Sequence, residues 1–123
     1  PIYFLHFTIP NGDVYVGQNN QQNEYLTNRW AKPNDLWLHT QHIQGSHVIL
    51  RSNIEPDIKM IEAAAQIAAY FSKGKDTSKV TVDYTLVKHI KKPPGSPLGY
   101  VIFNTHNDIV VEPKVPEGYT ENH

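Results

Sequence analysis

Two short runs of this 123-residue chain concentrate its chemistry. In the first, Asp35-Leu36-Trp37-Leu38-His39-Thr40, strict alternation puts Asp35, Trp37 and His39 on one face of a strand and Leu36 and Leu38 on the other. The second, His47-Val48-Ile49-Leu50-Arg51, follows Gly45-Ser46. If the runs pair with His39 opposite His47, then Trp37 faces Ile49 and Asp35 faces Arg51. Opposite charges across a strand pair favour that register by about 0.2–1 kcal/mol. Two imidazoles and a carboxylate on one face form a donor set for zinc or non-haem iron. A small metal-dependent enzyme built on Asp35, His39 and His47 is therefore one reading. The same groups suit RNA: Trp37 to stack on bases, imidazoles to donate to phosphate or the 2′-hydroxyl, and Arg51 to reach a phosphate. A third reading makes Trp37 plain core and His39 a satisfied buried imidazole.

Other chemistry is thin. There are seven histidines, but no short-spaced metal-ligand motif, so no metal or cofactor is expected. Ser46 adjoins His47, yet neighbouring side chains on a strand point to opposite faces and no G-x-S-x-G elbow exists. Gly95-x-x-x-Gly99 lacks the Lys-Ser/Thr of a phosphate loop. An enzyme is not expected. Charge is more suggestive. Between Tyr70 and Gly95 lie Lys73, Lys75, Lys79, Lys88, Lys91 and Lys92 against Asp76 and Asp83 only, a local excess of +4 in a chain of formal net charge -1. Such a cluster reads either as a footprint for a phosphate backbone or as solvated surface.

The elements that must hold these residues follow from local pattern. Ile2 to Thr8 and Val14 to Gly17, joined through Pro10-Asn11-Gly12-Asp13, read as a β-hairpin whose Asn-Gly step supplies positive φ angles. Asn19 or Asn20 caps a short helix that Lys32-Pro33-Asn34 ends. A long Ala-rich helix is expected from Pro56 at its first position to Gly74 at its stop, apolar nearly all round. Strands are expected at Val80–Tyr84, Leu86–Ile90, Tyr100–Asn104 and Ile109–Glu112, with Lys91 to Gly99 a stiff connector. Residues 113–123 read as a flexible acidic tail after a domain spanning 1–112. The sum is a single α+β domain, a mostly antiparallel sheet packed against one long and one short helix.

Composition agrees. Hydrophobic residues make up 39% of the chain, enough for a packed core. The absence of cysteine excludes disulfides, thiolate zinc sites and a cysteine nucleophile, and suits the cytoplasm. No apolar run nears the ~20 residues of a membrane span, and no export signal is evident. The chain starts at Pro1 rather than Met, so a longer parent is expected.

Several of these segments, in order, resemble one family. Gly17-Gln18-Asn19-Asn20-Gln21-Gln22-Asn23-Glu24-Tyr25-Leu26-Thr27 is similar to a family stretch of the form GRNNxQNDYLT. Asp35-Leu36-Trp37-Leu38-His39, Gly45-Ser46-His47-Val48, Glu62-Ala63-Ala64 to Ala69-Tyr70-Phe71-Ser72-Lys73, Val82-Asp83-Tyr84-Thr85 and Val87-Lys88-His89-Ile90-Lys91-Lys92-Pro93 continue it. Together, over residues 12–112, they resemble the NFACT RNA-binding domain, the C-terminal domain of bacterial proteins long labelled fibronectin-binding.

The resemblance implies a module that performs no reaction itself. Its parent would be a bacterial ribosome-quality-control factor that binds the large ribosomal subunit, recruits alanyl-tRNA and supports untemplated alanine tailing of stalled chains. The implied partners are tRNA, large-subunit RNA and the parent's remaining domains; the older name makes fibronectin an alternative, in a protein-interaction module of an adhesin. The matching Asp35, Trp37, His39, Gly45, Ser46 and His47 would shape or line the RNA-facing surface. Together with the cations Arg51, Lys73, Lys79, Lys88, Lys91 and Lys92, they form the expected site. Two departures stand out. His42-Ile43-Gln44-Gly45-Ser46-His47 replaces a family Asp-Ile-Pro-Gly-Ser-His, losing an acid and a proline. Gly95-Ser96-Pro97-Leu98-Gly99 replaces a loop that often carries lysine.

Overall fold

Alternating apolar side chains at Leu5, Phe7 and Ile9, and at Val14 and Val16, bury one side of a hairpin made of β1 (Leu5–Ile9) and β2 (Gly12–Val16). The structure, a computed structural model, describes residues 4–115 and 120–122. Asn11 alone takes the left-handed conformation of the turn (φ 64°). Gly12 serves a different purpose, since a Cβ there would lie 2.8 Å from the Arg51 carbonyl oxygen of the neighbouring strand. After the hairpin come α1 (Asn20–Tyr25), which runs into a π-helical turn at Leu26–Trp30, then β3 (Leu36–Thr40) and β4 (Val48–Ser52). α2 (Ile58–Tyr70), β5 (Val80–Leu86), a 3₁₀ turn at Val87–His89 and β6 (Asn107–Val111) follow. These six strands form an antiparallel sheet, and the short β7 (Thr120–Asn122) joins it beside β1, giving the order β6-β5-β3-β4-β2-β1-β7. The segment expected as a tail thus contains β7; residues 116–119 and 123 lie outside the described residues. The β3–β4 register pairs Trp37 with Ile49, as cross-strand charge pairing predicts.

Both faces of the sheet are covered. On one, α2 packs Met60, Ala64, Ile67 and Ala68 onto Leu5, Val14, Leu38, Val48, Leu50 and Val82. The other carries a smaller cluster of Leu26, Trp37 and Ile49, roofed by Trp30 and by Val101 and Phe103 from the loop before β6. The α+β class therefore holds, but α2 is not long. Its 13 residues span about 20 Å. Asp57, not Pro56, begins it, capping by accepting a 2.9 Å hydrogen bond from the Met60 amide. It ends early because Ser72 Oγ donates to the Ala69 carbonyl (2.7 Å) and the Phe71 carbonyl accepts from Ser46 N (3.0 Å). Two expected strands are also absent. After Leu86 the chain enters the 3₁₀ turn, closed by Ile90 N donating to Val87 O (2.9 Å), while Val87 N donates to Asp35 O and Lys88 N to Pro33 O. Tyr100–Asn104 contributes only the bridge Lys91–Ile102, because Pro93, Pro94 and Pro97 remove ladder donors on the opposing segment. No helix among the described residues is long and apolar enough to cross a membrane.

Candidate nucleic-acid interface

Asp35 and Arg51 meet as the register requires, and they meet completely. Arg51 donates from Nη2 to Oδ2 (2.7 Å) and from Nε to Oδ1 (3.1 Å), the Lys32 amide adds 2.8 Å to Oδ2, and the guanidinium lies 4.1 Å over the Trp30 ring. This buried carboxylate is fully engaged, so Asp35 joins no metal site with His39 and His47. Arg51 is likewise a bracing cation.

His47 lies at the centre of a second network. Its Nδ1 accepts from Trp37 Nε1 (3.1 Å), and an indole can only donate. The Thr27 hydroxyl, 2.6 Å from the same nitrogen, must then donate as well. The proton of the neutral ring therefore sits on Nε2, and the ring also hydrogen-bonds the Gly99 backbone. Asn23 Oδ1 accepts from the His47 amide at 3.1 Å. Burial, reinforced by nearby His39, pushes the His47 pKa down to about 3. Trp37 is 3% exposed, so of the readings open to it the structure selects core. It is not a free stacking platform.

His39 stays half-buried, its ring parallel to Trp37 with centroids 5.7 Å apart. Burial lowers its pKa, outweighing the Asp83 charge and its hydrogen bonds to the Thr40 and Gly45 backbone. Beside it is an opening of about 370 Å³, lined by His39, His42, Asp83, Tyr100 and Phe103 over the Trp37 edge. Asp83 holds Gln41 Nε2 at 2.9 Å and His106 Nε2 at 3.4 Å, both on Oδ1. Sequence reasoning missed Asp83 and Tyr100. The available signal was an aromatic residue set in a Pro/Gly loop, where no core position accounts for it.

That loop is tied down through Glu24. Its Oε1 accepts from Gly99 N and from Lys92 Nζ, each at 2.8 Å, while Oε2 accepts from Asn28. Burial alone would raise the Glu24 carboxyl, but these donors hold it below its ordinary value. Lys92 Nζ also donates to the Pro97 and Tyr100 carbonyls. Lys92 is a brace, not a free cation. The remaining lysines do not form one patch. Lys73 and Lys79 are exposed on the α2–β5 connection and Lys88 and Lys91 beyond the other end of β5, a seven-residue strand about 20 Å long.

Lys73 sits at the mouth of a second opening, about 390 Å³, between the start of α1 and the end of α2. Asn19, Asn20, Gln44, Ser46, Tyr70 and Ser72 contribute to its walls. Gly45 is pressed into this wall, where a Cβ would lie 2.8 Å from Ser72 Cβ and 2.9 Å from Thr40 Oγ1. Lys75 Nζ lies 4.3 Å over the Tyr70 ring. Of the expected site, Ser46 and Lys73 meet here; His39 lines the neighbouring opening, which Trp37 and His47 also line; Asp35, Arg51 and Lys92 are held in ion pairs; Lys88 and Lys91 line a separate opening beside Phe103, and Lys79 is exposed on the α2–β5 connection.

A sequence model for the family described as NFACT protein RNA binding domain matches residues 2–105. The chain belongs to the NFACT RNA-binding domain family. Among curated proteins, this NFACT domain is 54% identical over 100 residues to the Rqc2 homolog RqcH of Bacillus subtilis, covering 81% of the chain and 17% of the relative. It is 41% identical to the Rqc2 homolog RqcH of Streptococcus pneumoniae, with 81% and 18% covered. The chain thus spans under a fifth of these relatives' length. Among solved structures, the C-terminal part of the fibronectin/fibrinogen-binding protein of Streptococcus suis superposes with a TM-score of 0.88 at 34% identity, over 93% of this chain and 47% of that one.

Proposed function

We infer that this NFACT domain is the RNA-holding module of a ribosome-quality-control factor. In this reading it grips tRNA and large-subunit RNA in the cytoplasm while other domains of its parent support untemplated alanine addition to a stalled chain. The domain performs no reaction of its own. One observation carries the reading: three segments distant in sequence, within Gln18–Asn23, Gln44–Ser46 and Tyr70–Lys73, converge on one open cleft with an exposed cation at its mouth. Amides, hydroxyls, an aromatic ring and lysine are the groups that bind sugar–phosphate and unpaired nucleotides. A second reading, capture of fibronectin, rests on the name of the superposing Streptococcus suis protein. Titrating salt against fluorescently labelled tRNA, with double-stranded DNA and immobilised fibronectin in parallel, separates the two. The RNA reading expects saturable tRNA binding that weakens steeply with salt and exceeds DNA binding. Fibronectin binding that survives high salt and ignores RNA competitor would replace it.

A further inference from the structure

The two openings in the Gly45 region share one wall residue, Gln44. Their chemistry differs. The cleft beside Lys73 is basic and polar. The other opening is aromatic and weakly acidic, with Tyr100 52% exposed at its rim, Phe103 packed on Trp37 (centroids 5.1 Å) and Asp83 in its wall. A carboxylate repels phosphate, so the backbone of a bound strand stays on the lysine side. What fits the aromatic side is a flat, uncharged group with N–H donors at its edge.

We propose that the opening formed by Tyr100, Phe103, His39 and Asp83 is a pocket for one unstacked nucleobase carrying an exocyclic amine, adenine, cytosine or guanine rather than uracil. The proposal rests on the RNA-holding reading above and names the part of the RNA that is recognised. Tyr100 supplies the stacking surface that buried Trp37 cannot. Gln41 and His106 both approach Oδ1 of Asp83, leaving Oδ2 to accept from the base amine. Uracil has no amine, and its one edge donor, N3–H, lies between two carbonyl oxygens that the carboxylate repels. Burial disfavours the charged form of His39, whose ring hydrogen-bonds the Thr40 and Gly45 backbone, so it lines the pocket as an uncharged ring. The roof over this pocket is fixed in place by the Glu24–Gly99 and Glu24–Lys92 bonds, so the pocket exists before RNA arrives.

The test measures binding of labelled RNA hexamers of A, C and U, and of a ribose–phosphate hexamer without bases, at low salt. The A and C hexamers should bind at least about fivefold tighter than the abasic one, the lower end of what one base–aromatic stack supplies. They should also bind more tightly than the U hexamer. Tyr100→Ala should reduce them to the abasic level while leaving the salt dependence unchanged; the side chain is at the surface, so the fold is kept. Asp83→Asn should abolish the preference over U, with circular dichroism confirming the fold. Equal affinity for the abasic hexamer, a base preference that survives Tyr100→Ala, or U bound as tightly as C would each overturn the pocket. If no hexamer binds at low salt, the RNA-holding reading itself fails and takes the pocket with it.

Discussion

His47 shows how much of this domain hangs on single polar atoms. Its Nδ1 is the acceptor for both Trp37 and Thr27, so the imidazole must stay neutral for the face opposite α2 to remain intact. The sign of the pH effect follows. The folded-state pKa is about 3 against an ordinary 6.5, so the unfolded chain binds more protons across that interval. The stabilisation is fully present above about pH 6.5 and declines as pH falls toward 3, by about 1.4 kcal/mol for each unit at the limit. Urea midpoints should therefore fall steadily between pH 6.5 and 4. His47→Asn keeps an acceptor near the Nδ1 position but cannot titrate. It should be less stable than wild type by about 1–3 kcal/mol at pH 7 and flatter below it; a parallel pH profile would sink this account. At this scale the sequence was informative where charges pair. Opposite charge on two alternating runs was enough to set Asp35 against Arg51. It was uninformative about Trp37, because alternation tells which face a side chain takes and not whether that face is covered. The cover comes from Val101 and Phe103, more than 60 residues away in a stretch without periodicity.

Among the elements, the loop from Lys91 to Phe103 is the one whose role local pattern conceals. Its prolines and its positive-φ glycines, Gly95 (77°) and Gly99 (84°), identify a stiff connector, yet nothing local says that it folds back over the sheet. The residue that holds it, Glu24, belongs to a helix formed some 75 residues earlier in the chain. Glu24→Ala should free the loop and leave the sheet as it is. Amide hydrogen exchange should quicken from Gly99 to Phe103 while β3 and β4 remain protected. Global stability should drop by no more than about 1 kcal/mol, as expected for a part-exposed ion pair. Exchange rising throughout the sheet instead would mean that the loop is a structural keystone. The elements with clean periodicity or caps, the β1–β2 hairpin, α1 with its Asn19 cap, β3 and β4, were legible in advance. The length of α2 was not, because its end is set by a tertiary contact, the Gly45–Ser72 bridge, and not by Gly74.

For the molecule as a whole, the fold divides a lysine cluster that is continuous in sequence into two groups at opposite ends of β5. Only the group containing Lys73 adjoins the polar cleft. Replacing Lys73 and Lys79 with Ala should lower the log–log salt slope of tRNA binding by up to about two units, each phosphate contact contributing about 0.7–0.9. The pair Lys88 and Lys91 should change it less. The reverse order would move the RNA track to the far end of the sheet. The class and two of the strand pairings, β1–β2 and β3–β4, could be read from the residues, but the division of the lysines could not, since that is a property of where β5 begins and ends. The burial of Trp37 has an optical consequence. Its indole is shielded from water, bonded to an imidazole and in contact with Phe103, whereas Trp30, the other tryptophan, lies beneath Arg51 on a different part of the same face. With Trp30 replaced by phenylalanine, the emission of the domain becomes that of one fluorophore at the floor of the proposed base pocket, a built-in reporter of occupancy that needs no dye.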